Sequence, residues 1–275
     1  MPTDSTYVDL NMSAAHAGGA VRRVPLDAPW DWLARGWRDL CAVPVLSLSY
    51  GALFCILGWV AFYGLSSLDL SSLIGVLAGG FMLVAPLLAA GFYEMSRRLE
   101  AGEPVTIRAV ARACAAASGR LGLFGIVLFF AYFAWVELSF LMLAVFLDGA
   151  EVPEASVFVH QLIFTNGGVA LLIGSVVLGG ALAAMVFTLS SVAAPLLLAK
   201  DVDTVSAMVT SVRAVRDNPG PMALWAAIIA GHMALGLATA FVGLVVIFPL
   251  LGHATWHAYR DLVRGRALPL DQRRP

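Results

Sequence analysis

The sequence predicts an all-α membrane protein: six transmembrane helices forming three hairpins, each hairpin preceded by a cytoplasmic amphipathic helix. Three observations predict it. The first is composition: 60% of the 275 residues are hydrophobic and 13% charged, with a mean hydropathy of +0.85. An ordinary soluble domain carries about 25% charged residues. So few charges cannot cover a water-facing surface, and so apolar a chain is not a disordered one. The second is the length of the apolar blocks. The third is the distribution of charge between them.

Residues 1–28 are polar, small or acidic around Gly18-Gly19 and are expected to form a disordered cytoplasmic tail. The opening MPTDSTYVDLNM lacks the basic start of a signal peptide. The membrane domain is expected over 29–265, with a second cytoplasmic tail over 266–275. It begins with PWDWLARGWRDL, where Trp30, Leu33, Trp37 and Leu40 recur at helical spacing between Pro29 and Pro44. Indole rings of this kind suit a membrane interface. Pro44–Leu65 and Leu73–Tyr93 are each long enough to span about 30 Å of hydrocarbon. Leu121–Leu147 is a little longer, and Val169–Ala199 must tilt or project. The last block runs from Pro221 to about Ala258. As one helix it would be roughly 57 Å long. It therefore divides into 221–238 and 242–258, turning near Ala240–Gly243.

Charge supports that division. All 17 basic residues fall in four segments: Arg22 to Arg38, Arg97 to Arg120, Lys200 to Arg216, and Arg260 to Arg274. The segments 66–72 and 148–167 have none, and carry Asp69, Asp148, Glu151 and Glu154. Basic loops stay in the cytoplasm. Six spans put every basic residue and both termini there; five would export the last five arginines.

An internal repeat points the same way. Pro-Leu-Leu recurs at Pro86, Pro195 and Pro249. GGFMLVAPLLAAGFYEMSRRLE parallels VGLVVIFPLLGHATWHAYRDLV, setting Glu94 against His257 and Arg97 against Arg260. A basic amphipathic stretch precedes each hairpin, at 29–42, 104–117 and 203–216. In the third, Val205, Met208, Val209, Val212 and Val215 form the apolar stripe, with Asp203 or Thr204 as N-cap.

RRVPLDAPWDWLARGWRDL, followed by PVLSLSYGALF, resembles the opening of the DUF2189 family of bacterial integral membrane proteins. PGPMALW and VIFPLLGHATWHAYRDL are similar to its C-terminal part, so the resemblance runs over roughly 20–265. It implies a multi-pass protein of a bacterial inner membrane and transfers no activity. Some members are labelled as related to cytochrome c oxidase subunit I. Six spans and five histidines do not make a haem–copper subunit.

Among residues able to carry chemistry, Glu137 stands out inside FAYFAWVELSFLMLAVF. A carboxylate in hydrocarbon costs about 2.5–3.5 kcal/mol, so it is expected to face the bundle interior. His232, in IIAGHMALG, is its natural partner. His253 and His257, four apart, share one helix face and are expected as interfacial residues or in hydrogen-bonded pairs. His160 belongs to the acidic outer loop. Glu94, Arg97, His257 and Arg260 are the best set for lipid chemistry at the cytoplasmic interface. Cys41, Cys55 and Cys114 show no metal or redox spacing. No cofactor, metal or nucleic acid is expected. The expected partners are bilayer lipids and other membrane proteins. The leading function is a non-enzymatic scaffold or accessory protein. The alternative is a small transporter or channel using Glu137.

Overall fold

A computed structural model describes residues 20–68, 70, 73–146 and 155–264. Its elements are β1 (Ala20–Val21), α1 (Ala28–Ala42), α2 (Pro44–Ser67), α3 (Ile74–Leu88), α4 (Ala90–Glu100), α5 (Ile107–Ala116) and α6 (Ser118–Phe146). They continue with α7 (Ala155–Phe164), α8 (Asn166–Ser190), α9 (Ala193–Ala199), α10 (Thr204–Asp217), α11 (Pro219–Ala238), α12 (Leu244–Leu262) and β2 (Val263–Arg264). The chain is an all-α membrane protein. Five stretches are long and apolar enough to cross a membrane: Pro44–Ser67, Val76–Glu100, Ser118–Val145, Asn166–Ala199 and Pro219–Ala238.

Helix α12 is not among them, because its second half carries His253, His257, Arg260 and Asp261. It is instead the core of the fold, with most of its residues buried. Helices α1, α2 and α4 pack around it. Glycines set the closest approaches. A Cβ on Gly36 would lie 2.7 Å from the Ala254 backbone nitrogen, and one on Gly252 would lie 2.6 Å from the Phe92 ring. Phe54, Phe81, Phe92 and Phe248 interlock above them.

Local chemistry explains where elements start and stop. Pro29, Pro44 and Pro219 sit in the first turns of α1, α2 and α11, where a missing N–H costs nothing. Asp203 caps α10 by accepting from the Ser206 N–H at 2.9 Å, as its position in the sequence suggests. Ala89 divides α3 from α4 three residues after Pro86. The Tyr93 and Tyr50 hydroxyls donate to the Pro86 and Leu88 carbonyls there, at 3.2 and 2.8 Å. Ser191 and Val192 divide α8 from α9. The Ser211 hydroxyl of α10 donates to the Thr188 carbonyl at 2.8 Å and accepts from the Val192 N–H at 3.2 Å.

The last apolar block does divide, at 239–243. Ala240 and Phe241 both have left-handed φ, 52° and 67°, unusual for residues other than glycine. The Trp59 indole donates to the Ala240 carbonyl at 2.8 Å, and the Gly243 N–H donates to the Thr239 hydroxyl at 2.9 Å. This turn sits on α2 at Gly58 and Trp59, about 12 Å short of Ser67 at 1.5 Å per residue.

Four details depart from expectation. Residues 20–24 are not a tail: β1 pairs antiparallel with β2, the Arg22 N–H donates to the Leu262 carbonyl, and the Val24 N–H donates to Asn218 Oδ1. In α1, Trp32 is the buried tryptophan, whereas Trp30 and Trp37 are about half exposed. In α10 the buried face is Ser206, Ala207, Thr210, Ser211 and Ala214, while Val205 and Val209 point outward. Part of the segment expected as an outer loop is the helix α7, where the exposed His160 ring packs on Phe164. Asp69, Asp148, Glu151, Glu154 and residues 265–275 lie outside the described residues, as do 1–19.

Candidate functional site

The packing of α1, α2 and α4 around α12 brings together polar groups that are far apart in sequence. His253 is fully buried. Its Nε2 lies 2.9 Å from the Ser47 hydroxyl and its Nδ1 lies 2.8 Å from the Ser96 hydroxyl. Ser96 donates to Asp39 Oδ2 at 2.6 Å, and His257 Nε2 reaches the same oxygen at 2.8 Å. These contacts fix the tautomer. A carboxylate only accepts, so Ser96 spends its proton on Asp39 and accepts from the N–H at Nδ1. Nε2 is then left to accept from Ser47. Burial works to raise the Asp39 pKa, but hydrogen bonds from His257 and Ser96 outweigh it and hold the carboxyl below its usual range. The order Ser47–His253–Ser96–Asp39 resembles a nucleophile with its base, yet Ser47 and His253 are both fully buried. A substrate has no route to them. The array locks α1, α2, α4 and α12 together.

The two histidines therefore do meet, through Ser96 and Asp39. The other interfacial candidates separate into different pairs. Glu94, 1% exposed, receives Arg97 Nε at 2.8 Å and Arg98 Nε at 2.7 Å. Arg260 and the Trp256 indole both donate to Glu100, each at 3.0 Å. Arg35 and the Trp32 indole share Asp261. Glu94, Arg97, His257 and Arg260 thus do not converge on one point.

Glu137 and His232 do not meet. The His232 ring nitrogen Nδ1 bonds the Ile228 carbonyl of its own helix at 2.8 Å. Glu137 stands on the outward face of α6 among exposed Phe133, Phe140 and Leu141. Among the described residues it has no hydrogen bond or ion pair. An amphipathic count sees its depth but not its side, because α6 is apolar all round.

A second feature lies higher in the bundle. Helices α8 and α11 stand apart, and an apolar crevice of about 420 Å³ opens between them. Ala183 and Ala184 of α8 face Ala227 and Ala230 of α11 across it, with Tyr93 and Phe248 behind. Trp225 lines it and is fully buried, edge-on to Trp32 at 5.6 Å. Its indole N–H is the one buried side-chain polar group without a hydrogen-bond partner among the described residues. An orphaned buried donor costs about 1–3 kcal/mol.

Asp39, Ser47, Ser96 and Trp225 carry these sites, and sequence reasoning passes over all four. Asp39 reads as one charge on a polar face, and each serine as a lone hydroxyl beside an apolar run. Trp225 is one of seven tryptophans. No spacing links them, because packing alone brings them together.

Neither the curated proteins nor the solved structures gave a match to the chain. A family model does match over α3 to α9, just under half of the chain. The N-terminal and C-terminal segments that suggest the family from sequence lie outside that stretch. Residues 73–199 match the model of DUF2189, described as a predicted integral membrane protein.

Proposed function

We propose that this is a non-enzymatic accessory protein of a bacterial inner membrane that holds a phospholipid in the crevice between α8 and α11. In this reading six helices enter the bilayer as three hairpins, with both termini cytoplasmic. Helices α1, α5 and α10 lie along the inner face, and 29–265 forms the membrane domain. Protein shields the polar half of α12 from lipid, so α12 can end the third hairpin despite its charges. His253, His257, Glu94, Arg97 and Arg260 act as positioning residues at the cytoplasmic ends of the helices.

The unpaired Trp225 N–H carries the proposal. Trp225 is six residues from the start of α11, about 9 Å along the helix. That is near the ester zone of the cytoplasmic leaflet. An ester carbonyl accepts the N–H there, and the acyl chain runs up the alanine-lined crevice. Two variants test this in the full chain, purified and stripped of loosely held lipid. Ala227→Phe fills the crevice from its open side and is expected to lose retained phospholipid with little change in Tm. Trp225→Phe removes the orphan donor. With a bound ester it lowers lipid retention about five- to ten-fold, the worth of one hydrogen bond. In an empty crevice it instead raises stability. Wild-type protein carrying no phospholipid, or both variants retaining as much as wild type, overturns the reading.

Glu137 supports the other half of the accessory role. An unpaired carboxylate facing hydrocarbon costs about 2.5–3.5 kcal/mol. We propose that α6 presents it to a polar or basic group of another membrane protein. Crosslinking from α6 in native membranes is expected to give a discrete product that Glu137→Leu abolishes. An unchanged product pattern removes this contact.

A further inference from the structure

A second cavity, distinct from the lipid crevice, lies where α4, α5, α6 and α9 meet. It has a volume of about 570 Å³, within the range of small-molecule sites. Its wall carries Arg97, Arg98, Arg112 and Arg120, with Glu94 at its buried side. Three acids stand against these four guanidinium groups. Glu94 and Glu103 engage Arg97 and Arg98, and Asp201 engages Arg120. One positive charge is unmatched, and the contacts identify it: Arg112 has no hydrogen bond or ion pair among the described residues. Arg108, one turn earlier on α5, has none either.

Donors remain unspent on the paired arginines too. Arg98 uses Nε on Glu94 and Nη1 on the Pro104 carbonyl, leaving Nη2 free. Arg120 uses Nε on the Leu197 carbonyl and Nη1 on Asp201, again leaving Nη2. The carboxylate pairs therefore fix two planar forks without using them up. Such forks match the oxygens of a phosphoryl group in spacing and charge. The cavity also lies where three apolar stretches end together: Val76–Glu100, Ser118–Val145 and Asn166–Ala199. That is the level of lipid headgroups and of the adjoining water.

We infer that this arginine-walled cavity binds a phosphoryl anion, with Arg112 supplying the unmatched charge and Arg98 and Arg120 the fixed donors. The anion is either the headgroup of an anionic phospholipid or a phosphate from solution. The full chain in nanodiscs separates the two. In neutral phosphatidylcholine discs doped with phosphatidylglycerol, native mass spectrometry counts retained phosphatidylglycerol. In undoped discs, calorimetry reads the binding of inorganic phosphate. Arg112→Gln is expected to lower binding of the recognised probe about ten-fold, while Arg213→Gln, outside the cavity, leaves it unchanged. Ala113→Glu, which adds a carboxylate to the wall with Arg112 in place, is expected to give the same loss. It provides a second reading should Arg112→Gln fail to fold. Loss confined to phosphatidylglycerol assigns a headgroup site; loss confined to inorganic phosphate assigns a soluble ligand. No binding of either probe by wild type overturns the inference. So does equal binding by wild type and both cavity variants.

Discussion

Asp39 is the residue on which the buried array turns. Its Oδ2 receives both Ser96 and His257, and through Ser96 it sets which nitrogen of His253 faces Ser47. Its pKa is depressed in the folded protein. The stabilisation is therefore complete above the unfolded carboxyl's pKa of about 4 and is lost as pH falls through the lower folded value. Asp39→Asn is expected to cost about 1.5–3 kcal/mol near pH 6, the worth of hydrogen bonds to a charged group. The gap from wild type should close toward pH 3. Unfolding in detergent across that range measures it, and a gap constant with pH would show that Asp39 does not act through its charge. None of this is legible at the scale of single letters. His253 and His257 announce themselves by spacing, but the Asp39 and Ser96 that join them come from α1 and α4.

At the scale of elements the sequence is more informative, for a physical reason. Apolar length and proline position are local properties, and they place α2, α6, the stretch from α8 through α9, and α11 within a few residues of expectation. A 38-residue apolar block exceeds any bilayer, so the break near Ala240–Gly243 follows from length alone. Which way a helix faces is not local. Helix α10 turns Ser211 inward, where its hydroxyl partners the α8–α9 break, and Val205 and Val209 are left outside. A stripe rule assumes that apolar side chains face protein, and next to lipid that assumption fails. The same limit hides the outward side of Glu137. In α1 it makes Trp30 and Trp37 stand out, when Trp32 is the tryptophan that packs on Trp225.

At the scale of the whole molecule, the basic elements gather at one end. Arg35 reaches Asp261 of α12, Arg260 reaches Glu100 of α4, and Arg120 reaches Asp201 beyond α9. This is the arrangement that a cytoplasmic face rich in arginine requires, and it predicts an accessibility pattern. In a background without Cys41, Cys55 and Cys114, Leu68→Cys should react with an impermeant maleimide from outside the cell. Arg213→Cys should react only after the membrane is opened. The reverse pattern inverts the topology. Val242→Cys reports on the third hairpin. Its turn rests on Gly58 and Trp59, about 12 Å below Ser67. A hairpin that shallow leaves the bilayer to thin over it. Labelling of Val242→Cys from outside is therefore expected to be at least about ten-fold slower than that of Leu68→Cys, because the reagent must cross that remaining depth. Equal rates would mean that α11 and α12 reach the outer surface as fully as α2 does. In that case Trp59 would cap the Ala240 carbonyl in water, where the bond gains little. The strained pair at Ala240 and Phe241 makes better sense in hydrocarbon, where every carbonyl of a turn must find a partner.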